Sequence, residues 1–414
     1  MAEAFRLDSQ EDFEDYIAKN GINNNGNYNF ENVTFAFDLN AEILFAKNEI
    51  QNANFKNCVF EKEADFSDKK FKGKTDFSEA VFKDKVFFIA STFECDVLFT
   101  RAKFLNEISF MKVEFMGMAV FEETTFSKPA HFWFSKFAKE SIFSDAIFED
   151  YAEFSGSWFS KNVHYNRARF LGSVFFSEAV FDKLAFFQLV RFTDVAVFNK
   201  AIFNEKLDLR GSVFMVYGLF SGVKIDEADR ESYRIIKHEL LKSNNRIDAL
   251  DFYQKEMTCY WESLFENAKW TIIQGNSFIH KVFKYLRALF LTNINEKLMI
   301  CLNRYSNSYG LSWIQGVKFT VIYVGLPFFL LYNSLLVDPY YEPIFLDLNS
   351  FLDVLDDGLQ YFVQFLNPTH SHDFMEQFHP KPKGLGYFID GISRILITYG
   401  YYQTIQAFRK LRFN

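Results

Sequence analysis

Residues 55–104 read FKNCVFEKEADFSDKKFKGKTDFSEAVFKDKVFFIASTFECDVLFTRAKF, with an aromatic at spacings that alternate between five and six. One series, Phe55, Phe66, Phe77, Phe88 and Phe99, continues in steps of eleven to Phe220; the other, from Phe60 and Phe71, continues to Phe214. Only Tyr165 and Leu209 interrupt the phenylalanines. Two residues before the aromatics stand small or β-branched residues such as Ala64, Ala80, Val86, Ala102, Val113, Ala179 and Ala196, with Lys69 the clearest exception. Self-similarity at a fixed period decides the architecture of this half of the chain before any motif is considered.

An eleven-residue period has two physical readings. One is a right-handed coiled coil. On a helix, however, steps of five and six rotate the side chain by about 140° and about 240° at roughly 100° per residue, which separates the rings onto two faces. On an extended chain, residues i−2 and i share one side. Each unit then offers a small residue and a phenylalanine to one interior and turns Asp, Lys, Ser, Glu and Asn outward. That is the pattern of a β-solenoid.

Units such as Ala64-Asp65-Phe66-Ser67, Ala80-Val81-Phe82-Lys83 and Ala179-Val180-Phe181-Asp182 resemble the pentapeptide-repeat proteins, in a variant with a central Phe. The resemblance covers about residues 30–222. It implies a right-handed quadrilateral β-helix with four units, roughly 22 residues, per coil. Seven to eight coils at about 4.8 Å make a rod roughly 35 Å long.

The 414 residues allow two or more domains, and a net charge of −8 is mild. Cys58, Cys95, Cys259 and Cys301 lie far apart without CxxC spacing, which fits a reducing compartment, and Cys58 falls on an interior position. The polar, acidic stretch from Met1 to Asn20 does not read as a signal peptide. Its Phe13, Tyr16 and Ile17 share a helical face, so residues 1–29 are expected to cap the solenoid. Beyond Gly222 the period becomes helical. Asp226 and Asp229 flank a helix start, and residues 223–275 read as an αα-hairpin linker that covers the other end. Softer than the repeat, Tyr233 to Lys237 and Gln254 to Met257 resemble the linker of bacterial pentapeptide-repeat proteins that carry a membrane domain.

Residues 276–312 predict amphipathic juxtamembrane helices. Phe278 to Arg287 alternates apolar and basic faces, suited to an anionic leaflet or to an ordinary bundle. Phe319 to Val337 holds no charge over nineteen residues, enough at 1.5 Å per residue to span a bilayer, with Pro327 expected to kink it. A buried core helix would show the same composition. Tyr387 to about Phe408 is the second candidate span; Asp390 and Arg394, one turn apart, form an intramembrane charge pair. Residues 313–414 thus read as a two-span membrane domain. Arg409, Lys410 and Arg412 beside the spans, against the acidic loop 338–386, place both termini in the cytoplasm and the chain in the bacterial inner membrane.

Between the spans, Phe351, Leu355, Leu359, Phe362 and Leu366 share a helical face opposite Asp353, Asp356, Asp357, Gln360 and Gln364. The arrangement resembles the pore helix of two-span ion channels, in which repeated subunits would turn these residues into a cation-attracting ring. No TVGYG-type filter follows, so potassium selectivity is unsupported. A packing helix on the outer surface explains the pattern equally well. His370, His372 and His379, with Asp373 and Glu376, form the one metal-like cluster, but their spacing matches no tight motif and a solvated, proton-sensing loop is the stronger reading.

No phosphate loop, GxSxG or HExxH occurs, so neither enzyme nor cofactor is expected. Outer residues Lys56, Lys62, Lys72, Lys83, Arg101 and Lys161 are balanced by acids, against DNA mimicry by a uniformly acidic rod; no basic stripe supports nucleic-acid binding. His131 and His164 are expected on the outer surface without a role. The leading expectation is a homo-oligomeric ion channel or pore-forming effector whose cytoplasmic β-helix senses a partner or drives assembly. The alternative is a non-conducting, membrane-tethered scaffold. Membrane lipids, further copies of the chain and a protein partner of the β-helix are the expected partners.

Overall fold

The computed structural model describes residues 5–20, 27–40, 49–272, 294–336, 359–370 and 384–412, which fall into two compact units divided at Glu256/Met257. The first is a parallel β-solenoid with Phe-rich coils about 22 residues apart. Each two-residue strand pairs in register with the one a coil away, as in Val81↔Lys103 and Phe82↔Phe104. Three sheets result, of ten, 17 and nine strands. The largest joins two strips, because the seven-residue strand Ile202–Asp208 belongs to both. About nine coils form, more than the seven to eight expected. The extra length comes from the ends. Phe5–Leu7, inside the segment read only as a cap, pairs with Val33–Phe35, and Lys224–Ala228 pairs with Ile202–Asp208 beyond the last phenylalanine.

The interior is columns of rings. Phe60 and Phe82 stack at 4.5 Å and 6°, Phe77 and Phe99 at 5.1 Å and 1°. Between columns the rings meet edge to face, as Phe66 does with Phe77 at 5.7 Å and 71°. Each fully buried ring contributes on the order of 1.5–3 kcal/mol, so the columns dominate stability. The small residues two places earlier face the same interior. Where they carry a hydroxyl it is bonded: Ser91 donates to Phe66 O at 2.8 Å, Ser135 to Phe110 O at 2.6 Å and Ser157 to Phe132 O at 2.6 Å.

Five-residue steps close with one residue at positive φ, every eleventh position from Asn57 to Gly222. Most are not glycine; Ala90 stands at 57°, Phe134 at 55° and Leu189 at 58°. Such a residue costs about 1–2 kcal/mol in this conformation, less than the ring that the tight turn brings inward.

Both ends are covered. In α1 (Gln10–Asn20), Phe13 is buried and continues the column on Phe30 at 5.6 Å. At the other end α2 (Arg230–Lys242), N-capped by Asp229, supplies side-chain acceptors where a further coil would supply carbonyls. Leu209 N donates to Ser232 Oγ at 2.8 Å, Gly211 N to Glu231 Oε1 at 3.2 Å and Gly218 N to Glu239 Oε2 at 3.0 Å. These satisfy the open edge that would otherwise template another strand. The hairpin closes with α3 (Arg246–Ile272), tied to α2 by Lys237–Glu256 at 2.5 Å.

Two interior exceptions give tests. Tyr165 is fully buried in its column, which pushes its pKa up by desolvation, and its hydroxyl has no hydrogen-bond partner among the described residues. Tyr165→Phe should therefore raise stability by about 1–3 kcal/mol in denaturant titration; an unchanged or lower midpoint would show the hydroxyl to be satisfied. Burial pushes the Cys58 thiol from 9.0 up to about 12. The raised value means that the thiol's contribution is whole below pH 9 and is lost as the pH climbs from about 9 towards about 12. At pH 8 a thiol reagent should modify exposed Cys95 in the folded chain and reach Cys58 only after unfolding.

Candidate functional site

The second unit contains α4 (Ile294–Asn307), α5 (Trp313–Lys318), α6 (Leu326–Leu336), a helical stretch at 359–365 and α7 (Gly384–Arg412). A π-helical turn, Phe319–Gly325, links α5 to α6, and Leu326 N–H reaches back to Val321 O. Pro327 has no N–H to offer Tyr323, and the widened turn absorbs its ring without ending the helix. Among the described residues, one helix, Trp313–Leu331, is long and apolar enough to cross a bilayer. The second candidate span lies within α7, a single helix of 29 residues whose Asp390, Arg394 and tyrosines make it less apolar than a span requires.

Over part of this unit large apolar side chains face outward and polar ones inward. Ile322, Leu330, Val363, Phe388 and Ile395 are at least half exposed, while Asp390, Ser393, Thr320 and Gln403 are buried. The buried polar groups are mutually bonded. Tyr399 donates to Asn303 Oδ1 at 3.2 Å, Gln403 Nε2 to the same atom at 3.3 Å, and Asn307 Nδ2 to Gln403 Oε1. Glycines let the helices approach: a Cβ on Gly316 would lie 2.4 Å from Thr404 Oγ1, and one on Gly400 2.1 Å from Thr320 Oγ1. An apolar core of Phe319, Val324, Phe329, Phe365 and Ile397 sits beside them.

Asp390 and Arg394 meet as their spacing implied, Nε to Oδ2 at 2.8 Å. His370 joins them, which the sequence reading missed. Expected in a solvated loop, it is buried, with Nε2 3.0 Å from Asp390 Oδ1 and Nδ1 2.6 Å from Asn367 O. Both ring nitrogens lie within hydrogen-bond distance of oxygen atoms. The Asp390 carboxylate therefore lies between His370 and Arg394 and ties the 359–370 stretch to α7. Arg394 Nη2 is buried with no partner among the described residues. Asp353, Asp356, Asp357, His372 and His379 lie outside the described residues; Gln360 is exposed and Gln364 half-buried. Among the described residues no group of three or more His, Cys, Asp and Glu side chains is placed to hold a metal.

On the solenoid, charges pair a coil apart. Lys83–Glu61 at 3.0 Å, Arg101–Glu123 at 2.9 Å, Lys136–Glu114 at 2.8 Å and Arg167–Asp145 at 2.6 Å all join residues 22 apart. His164, read as having no role, bonds Glu140 at 2.6 Å. Complementary charge at a lag of 22, or 24 for His164, was the available signal. One corner opens into a groove of about 940 Å³. It forms because Gly73, Cys95 and Gly117 occupy the register that Lys139, Lys161 and Lys183 fill in later coils. Lys183 is paired with Glu205 at 2.5 Å; Lys139 and Lys161 have no acid partner among the described residues.

No family model matches this chain, nor does any curated protein or solved structure.

The close helix contacts are directly testable. Gly400→Val should lower the thermal midpoint of the full chain in detergent by several degrees, because the new methyls meet Thr320 and the helix backbone cannot retreat without opening the polar cluster. An unchanged midpoint would place these helices farther apart.

Proposed function

We propose that this chain is a membrane-anchored solenoid of the pentapeptide-repeat type, its helical unit embedded in the bilayer and its rod presenting the corner groove to a protein partner. The observation that carries this reading is the outward-facing apolar surface over part of the helical unit. Water-soluble helices hide apolar side chains and expose polar ones. Here large aliphatic and aromatic residues face outward while bonded polar groups and glycines fill the contacts, the pattern of helices packing in lipid. The rod resists deformation because each coil is bonded to two neighbours, so it suits presentation of a fixed surface. Unpaired Lys139 and Lys161 at the groove favour an acidic segment as its occupant.

Ion conduction by a homo-oligomer is the second reading. Its support is that an anchor does not require a buried carboxylate bonded to a histidine and an arginine, and intramembrane ionisable groups are by default functional. Both readings share one preparation. Full-length protein should stay in the membrane pellet through an alkaline carbonate wash; release into the supernatant would reject anchoring. In liposomes, a scaffold gives no ion flux above protein-free vesicles. Flux that falls several-fold in the Asp353/Asp356/Asp357→Asn variant would instead establish conduction and assign those residues to its path.

A further inference from the structure

Two runs of basic residues stand in register on the rod. One is the lysine ladder at the groove. The other is the strip on which Arg169 and Arg191 are register neighbours, followed by Val213. Like charges in adjacent strands are unfavourable, and both arginines are exposed with no acid partner among the described residues. Arg234 of α2 extends the strip: it lines, with Val213, a cavity of about 350 Å³ and is likewise exposed and unpaired. Several acids on these coils are engaged elsewhere. Asp145 holds Arg167, Asp194 accepts from Ser173 at 2.8 Å, Asp208 holds Arg210, and Glu231 and Glu239 cap the last coil.

Between the arginines stand exposed apolar side chains: Leu189 at 61 %, Met215 at 56 %, Val213 at 53 % and Tyr217 at 46 %. These occupy the final coils, from which the chain runs on through the hairpin to the helical unit.

We propose that this strip, Arg169, Arg191 and Arg234 with the apolar residues among them, docks on an anionic lipid surface. Guanidinium groups meet phosphate headgroups while Met215, Val213 and Tyr217 enter the headgroup boundary. The proposal rests on the reading that the helical unit is membrane-embedded, since the last coils lead in sequence into that unit. A second copy of the chain fits the strip poorly. A two-fold contact would set the arginines of both copies together. The corner groove is the weaker lipid site, because Glu94, Asp96 and Glu140 line it beside its lysines.

The test uses full-length protein in vesicles of phosphatidylcholine alone or mixed 3:1 with phosphatidylglycerol, each carrying a headgroup-photoactivatable lipid. Crosslinked peptides are mapped by mass spectrometry. Labelling over residues 189–217 is expected in the anionic vesicles and at least tenfold lower in the neutral ones. It should fall as far in Arg169→Gln/Arg191→Gln/Arg234→Gln, because each basic residue near an anionic surface strengthens attachment about fivefold. An unchanged melting midpoint shows that the triple variant is folded. Equal labelling in neutral vesicles, labelling unaffected by the three substitutions, or crosslinks joining two copies at this strip would overturn the proposal. Carbonate extraction of the same samples separates the two readings: a strip that fails leaves the protein in the pellet. If the chain is released instead, anchoring fails, and the same crosslinking from solution still decides whether the three arginines dock on lipid.

Discussion

Ring stacking between successive coils is the interaction on which the rest of this molecule depends. Parallel strands of two residues hold little by themselves, and each coil becomes stable only when its phenylalanines lie on those of the coil below. Once the rings must superpose, the backbone has to return to the same place every 22 residues. The tight corners follow, and with them residues such as Ala90 and Phe134 at positive φ, tolerated because the inward ring outweighs the strain. The end devices follow too. A column has an exposed first and last ring and two open strand edges; Phe13 covers one end, and Ser232, Glu231 and Glu239 stand in for carbonyls at the other.

The solenoid was legible because its period is its geometry. A spacing of five and six states which side chains share the interior, and Cys58 could be placed inside from its position alone. The ends were less legible, since Phe5–Leu7 carries no repeat and Lys224–Ala228 keeps the period only through Ile225, where the phenylalanine is lost. Ser91 and Ser157, at the small-residue position, were not singled out in the sequence; burial and their carbonyl acceptors appear only in the fold.

In the helical unit, local spacing placed Asp390 against Arg394 because one turn of helix fixes that distance. His370 lies twenty residues from Asp390 in sequence, and no periodicity connects them. The reading of a solvated histidine loop failed there because burial is a property of tertiary contact. Gly316 and Gly400 were unremarked for the same reason: their role exists only against Thr404 and Thr320 on the facing helix.

A core built almost wholly of phenylalanine has a weakness that its surface offsets. Identical rings cannot distinguish one coil from the next, so a chain that looped out 22 residues would still stack its aromatics. The outer pairs distinguish the coils. In such a slip Glu114 would face Trp158 and lose Lys136, and Glu61 would face Leu105 and lose Lys83. Exposed pairs are worth at most about 1 kcal/mol each, too little to hold the rod together, yet several lost at once suffice to reject a wrong register. Seen in that light, Arg169 beside Arg191 contributes nothing to register and opposes local stability. Its presence on a rod that carries many paired charges is the reason to look for its counter-charge outside the chain.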